Sequence, residues 1–423
     1  MSSINEIENV DKEKNEPIIK EKEDLNENSS KKIKILYGLT IGIVLLIVVL
    51  VGIIVVYMSN NKNNDNNTNN NGNNKKNDTE PYIRPFIISS IKAIYETLID
   101  GESIKLINEN LLDKISFILI DNKTIKTTYL YTFNNKGEHE VIFGFNQSLK
   151  STEEMFKNCT YLKELNFTNF TTNGINNMAG MFNRCISLKS LNLNNFDTKN
   201  VTNMSYLFNE CYGMNKVIID NFDTSNVIDM KFMFAECVSL SSLNLINFNT
   251  KKVKEIKHMF HSCLSLENLE VGNNFIISGI SDLSWLFYNC YLLTKINITK
   301  IDTSQTTDMN SMFKRCSHLT SLDVSKFDTS KVVNISGMFS DCKYLTSIDI
   351  SKFDTSNVED MHELFLSCIE IKELDLSNFN TSKVNNMNYM FYHCVSLKSL
   401  NLSNFDTSQV VSMNRMLFLL FIR

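Results

Sequence analysis

Apolar residues in the second half of the chain recur in a pattern that changes period inside each copy. In the copy starting at Phe353, FDTSNVEDMHELFLSCIEIKELDL, the apolar positions Val358, Met361, Leu364, Phe365, Cys368 and Ile371 are mostly three or four residues apart. That spacing predicts a helix with one buried stripe. Leu374 and Leu376 then alternate with Asp375, which predicts a short strand. Asp354, Thr355 and Ser356 come before the helical stretch and supply turn and N-cap chemistry. Cysteines mark the register. Cys159, Cys185, Cys211, Cys237, Cys263, Cys290, Cys316, Cys342, Cys368 and Cys394 follow one another at 26 residues, with one step of 27. A fixed period of this size predicts a solenoid, in which each unit buries its apolar face only against its neighbours.

Stacking turns each apolar position into a row. One strand per repeat gives a parallel sheet with rungs about 4.8 Å apart. One row runs Phe170, Phe196, Phe222, Phe248, Phe275, Ile301, Phe327, Phe353, Phe379 and Phe405. A second runs Phe182, Phe208, Phe234, Phe260, Phe287, Phe313, Phe339, Phe365 and Phe391. Leu191, Leu243, Leu269, Ile296, Leu322, Ile348, Leu374 and Leu400 form the inner row of the strand. Such rows are core rather than a cofactor box. The expected fold is α/β: a solenoid with one short parallel strand and one helix per repeat.

The copy FDTSKVVNISGMFSDCKYLTSIDI and its sisters resemble the 26-residue repeat of bacterial surface proteins, the BspA-type leucine-rich-repeat-like family. The resemblance runs from about Phe145 to the end of the chain. It implies a cell-surface protein with an interaction or adhesion role, and it brings no catalytic residues with it. The copy at Phe275 departs from the pattern. It lacks Asp-Thr-Ser, carries Trp285 two residues before Phe287, and holds the extra residue around Gly272–Asn274, which predicts a bend.

The first part of the chain reads differently. Residues 1–34 are rich in Glu, Lys and Asn and predict a disordered cytoplasmic tail. Residues 35–57 are apolar and uncharged, long enough at 1.5 Å per residue for a transmembrane helix, with Tyr37 and Tyr57 at its ends. Lys31, Lys32 and Lys34 abut its start, which places the N-terminus in the cytoplasm and the repeats outside a plasma membrane crossed once. Gly38 and Gly42 have the spacing of a helix-dimer face. Residues 58–80 form an Asn-rich flexible stalk. Residues 81–144 predict a β-rich cap, with strands at Asp113–Asp121, Thr127–Phe133 and Glu140–Phe145. Residues 145–423 are the repeats; the last copy has Leu420 where a cysteine is expected.

Candidate chemistry is sparse. No paired C-x-x-C, H-E-x-x-H, G-x-S-x-G or phosphate-binding loop occurs, so neither an enzyme nor a metal or cofactor is expected. The cysteines read as a structural ladder of buried thiols. Disulfides need Cα atoms within about 7 Å; helices 8–10 Å apart would keep rungs too distant, whereas a tighter, non-helical segment could bring them within reach. Asn166, Asn192, Asn244, Glu270, Asn297, Asp323, Asp349, Asp375 and Asn401 sit between the strand leucines and form a candidate interaction face. Lys300, Lys326 and Lys352 relieve its charge. The turn row Asp197, Asp223, Asp302, Asp328, Asp354 and Asp406 alternates with Asn249 and Asn380, which fits a hydrogen-bonding turn and not a catalytic acid. With a net charge of −5 and no basic stripe, nucleic acid is not an expected partner. The function expected is membrane-anchored surface recognition or adhesion toward an extracellular protein or glycan. The alternatives are a signalling receptor and a self-associating surface coat.

Overall fold

The computed structural model describes residues 88–418. The expected tail, membrane span and stalk at 1–80 lie outside the described residues. Among the described residues there are eleven strands, in this order: β1 (Ser89–Thr97), β2 (Glu102–Lys105), β3 (Ile115–Ile120), β4 (Lys123–Ile125), β5 (Leu130–Phe133), β6 (Gly137–Phe145), β7 (Leu162–Asn166), β8 (Ser190–Asn192), β9 (Lys216–Ile218), β10 (Ser242–Leu245) and β11 (Asn268–Val271).

The cap is built on β1. Its residues alternate between buried and exposed, with Ile91, Ala93 and Tyr95 facing in. β1 runs antiparallel to β6 on one side and to β7 on the other, so the strand of the first repeat completes a five-stranded sheet, β4-β3-β6-β1-β7. β5 pairs with β2 in a separate small sheet, so β5 and β6 are consecutive without pairing. The apolar edge of the first rung is thereby covered.

Beyond β7 the repeats stack in chain order. Strands β8 and β9 pair in parallel, as do β10 and β11, each offset by one repeat (Ser190↔Lys216, Ser242↔Asn268). A line of isolated parallel bridges, Ser151↔Asn177↔Asn203↔Asp229↔Glu255, continues the stack and resumes from Asp282 through Asp308, Asn334, Asp360 and Asn386 to Ser412. The gap between Glu255 and Asp282 falls at the extra residue.

The expected helix in each repeat does not form. Among the described residues the helical structure is a single 3₁₀ helix, Glu109–Lys114, in the cap. The reason lies in where the N–H groups point. Met361, Glu363, Phe365 and Ser367 donate to the carbonyls of Asn386, Asn388, Met390 and Tyr392 in the next repeat, at 2.7–3.0 Å. Between them, Leu364, Leu366 and Cys368 donate three residues back, to Met361, Glu363 and Phe365. Tight turns thus alternate with rung-to-rung bonds. The turns close only because two residues per repeat, four apart, adopt positive φ: Glu363 (57°) and Ser367 (56°) here, Phe232 (56°) and Glu236 (59°) earlier in the chain. Four-residue turns bring Met361, Leu364, Phe365 and Cys368 to one side, so they reproduce helical spacing without a helix. Strands are also fewer than one per repeat, since none is present after β11 among the described residues. The α/β leucine-rich-repeat solenoid is therefore replaced by stacked turns and short strands.

No helix of the described residues is long and apolar enough to cross a membrane. Six residues of 3₁₀ helix rise about 12 Å, against a hydrocarbon core of about 30 Å. Among the described residues nothing supports the expected single span, the membrane as a partner or the single-pass plasma-membrane placement.

The core is continuous. Phe182, Phe208, Phe234, Phe260, Phe287, Phe313, Phe339, Phe365 and Phe391 are all at most 1% exposed, and successive rings stack 5.2–6.1 Å apart, within 20° of parallel.

Polar side chains join the rungs as well. In the Asp-Thr-Ser turn, the buried hydroxyl of Thr329 accepts from the Asp354 N–H at 2.7 Å and donates to the Asp354 carbonyl at 2.9 Å. Thr198, Thr224, Thr303, Thr355 and Thr381 do the same toward the following rung.

Candidate interaction surface

The row expected to meet a ligand is exposed at every position: Asn166, Asn192, Asn244, Glu270, Asn297, Asp323, Asp349, Asp375 and Asn401. All but Glu270 turn an Oδ1 back to accept the N–H two residues on, at 2.8–3.3 Å. These are Asx turns. In Asp323, Asp349 and Asp375 the hydrogen bonds from Ser325, Ser351 and Ser377 hold the carboxyls below their ordinary range. The row therefore ends strands and shapes corners. Asn166 and Asn192 also line a hollow of 710 Å³ with Lys92 and Glu164, where β1 meets the first rungs. The turn aspartates are Asx turns too, with Asp328 and Asp354 accepting from Ser330 and Ser356. Asn249 and Asn380 make the same bond, which explains the exchange of Asp for Asn.

The ten cysteines are free and buried. From Cys185 onward each thiol donates to the carbonyl of a phenylalanine one rung earlier, such as Cys316 to Phe287 and Cys342 to Phe313, at 3.0–3.2 Å. Burial pushes the thiols of Cys159, Cys211, Cys263 and Cys394 up to about 12. They are packing groups, not nucleophiles. Among the described residues no group of three or more His, Cys, Asp or Glu could hold a metal ion.

A different row stands out at the surface. The first positive-φ residue of each repeat points its side chain outward, and over four consecutive repeats it is Tyr206, Phe232, His258 and Trp285, with φ of 56–60°. All four are half-buried. Their rings stack at 4.8, 4.3 and 5.7 Å, within 11° of parallel. His261 and Tyr288, three residues on from His258 and Trp285, make a second stacked pair at 4.8 Å. Stacking hides the ring faces and presents the edges. Gly180 precedes the row, and Ser311 and Gly337 follow it in the same position, so the outer faces of Tyr206 and Trp285 meet small neighbours.

Charges flank the row in pairs. Lys231 meets Asp229 at 3.1 Å and Lys257 meets Asp282 at 3.0 Å. Desolvation lowers the pKa of His258, and burial together with the neighbouring imidazole pushes His261 down to about 4. Both rings are therefore neutral near pH 7. The sequence signal for this row is the column two residues after the first methionine (or isoleucine or leucine) of each repeat, which reads Tyr, Phe, His, Trp in successive copies.

Comparison with known proteins adds a family. The model of a family described as "Mycoplasma protein of unknown function, DUF285" matches residues 150–270, 265–348 and 344–419. These stretches follow one another across the whole repeat region and more than half of the chain. The chain belongs to the DUF285 family. Each DUF285 match spans about three to five of the 26-residue copies, so the family unit is a group of rungs and not a single one. The aromatic row lies within the first two matches. No curated protein and no solved structure matches the chain.

Proposed function

We propose that the stacked DUF285 repeats form a recognition module whose binding surface runs along the row Tyr206, Phe232, His258 and Trp285. The observation that carries this reading is four consecutive half-buried aromatic rings, pre-stacked and flanked by neutralised charge pairs. Tyr and Trp are the residues that most often anchor an interface, and rings already fixed by stacking lose little entropy on binding. The occupant is a protein or glycan ligand. A repeated surface gathers many weak contacts into avidity. The resemblance of the single copies to BspA-type repeats supports an interaction or adhesion role.

The test is direct. Full-length chain is applied to arrays of glycans and proteins, and every ligand found is titrated against the double variant Tyr206→Ser, Trp285→Ser. The same position holds Gly180 and Ser311 in neighbouring repeats, so the substitutions suit the backbone. Binding at least about tenfold weaker is expected, as for loss of interface hot spots. Equal binding by the variant, with loss on Asp349→Asn instead, would return the role to the Asx row.

A further inference from the structure

We infer that His258 and His261 form a binding site for a divalent transition-metal ion of the Zn²⁺, Ni²⁺ and Cu²⁺ class, on the aromatic row but independent of any macromolecular ligand there. The two Nδ1 atoms are 3.4 Å apart. Two nitrogens bound at 2.0–2.1 Å with a tetrahedral angle are separated by about 3.3–3.4 Å, so the pair already spans two vertices of such a site. Imidazole is the donor these ions share.

Both rings are held in place without a metal. His258 lies between Phe232 at 4.3 Å and Trp285 at 5.7 Å, and His261 stacks on Tyr288 at 4.8 Å. Their three-residue separation comes from the turn between the two positive-φ positions, His258 and Ser262. In the free chain the two Nδ1 atoms share one hydrogen bond, so an ion that binds both moves that proton to the far nitrogen of its ring. Asp282, whose charge acts on His258, is engaged by Lys257 and by Ser284. It contributes negative charge nearby, and water or an incoming ligand fills the remaining coordination positions.

Trp285, the chain's single tryptophan, has its ring 5.7 Å from His258 and 5.9 Å from His261. It is therefore a built-in reporter. In the full chain, Ni²⁺ is titrated while tryptophan emission is recorded, and Zn²⁺ is then added. Saturable quenching reversed by Zn²⁺ is expected. His258→Phe and His261→Tyr keep an aromatic ring in each stack and remove the nitrogen. Each is expected to raise the half-quenching concentration at least about tenfold, since even outer-shell changes at metal sites cost 10–100-fold. His318→Asn and His362→Asn leave it unchanged. Absent or non-saturable quenching, or the same curve in both row variants, overturns the site.

Discussion

Replacing Thr329 by valine isolates the bond that joins one Asp-Thr-Ser turn to the next. The side chain is 2% exposed, and its hydroxyl accepts from the Asp354 N–H and donates to the Asp354 carbonyl. Valine keeps the shape and leaves both groups without that partner. An orphaned buried polar group costs about 1–3 kcal/mol, so the pair costs roughly 2–6 kcal/mol. In a repeat array this loss is local, because each rung contacts only its neighbours. The assay is hydrogen–deuterium exchange of the full chain, followed in peptides spanning residues 350–360. At 1.4 kcal/mol per factor of ten, the Asp354 amide should exchange roughly 30- to 20,000-fold faster. Thr329→Ser retains the hydroxyl and should recover most of the protection. A valine variant that exchanges like the parent, or a serine variant as fast as valine, refutes the bridging role.

Phe313→Ala should destabilise the chain by about 3–5 kcal/mol in urea unfolding, since the ring is fully buried between Phe287 and Phe339; a loss under about 1 kcal/mol would show that the Phe row is not a packed core. The buried thiols should resist Ellman's reagent in the native state and all ten should react in denaturant; native reactivity near that of free cysteine would contradict their burial. Raised folded-state thiol values also mean that stability is full below the unfolded value of 9 and falls as pH climbs from 9 toward about 12; flat stability across that window counts against the assignment. His261 has the opposite sense. It is depressed to about 4, so the unfolded chain takes up its proton first, and stability around the row should decline as pH drops from about 6.5 toward 4. His261→Tyr should remove that share of the decline.

Much of the repeat is legible in the residue pattern. The Phe row from Phe182 to Phe391 follows from period alone, because stacking makes equivalent residues neighbours; of the expected inner strand row, Leu191, Leu243, Leu322 and Leu374 are buried, while Leu269, Ile296, Ile348 and Leu400 are half-buried. The helical spacing misleads for a physical reason. Turns four residues long place Met361, Phe365 and Cys368 on one side as a helix would, and the sequence does not show that Glu363 and Ser367 adopt left-handed backbone. Glycine would signal it, and Gly180 and Gly337 do occupy that position in two copies. In the other copies non-glycine residues stand there, from Glu154, Ser311 and Glu363 to Tyr206, Phe232, His258 and Trp285, and the rung-to-rung hydrogen bonds hold them in place. Thr329 reads as an ordinary turn residue, yet threonine is kept in each Asp-Thr-Ser copy while its neighbours vary between Asp and Asn and between Ser and Lys. β1 is hidden in the cap's sequence, because Ser89, Ala93 and Thr97 dilute its apolar alternation.

Everything proposed about the aromatic row depends on rungs spaced as strands rather than as packed helices. The most direct test is the distance between nitroxide labels on cysteines introduced at Lys199 and Ser382, exposed positions of the same turn seven repeats apart. The native thiols are buried and should stay unlabelled. Seven strand spacings of about 4.8 Å give a separation near 34 Å. Seven helix spacings of 8–10 Å would give about 56–70 Å, and a distance in that range would contradict the stacked-turn fold and the row built on it.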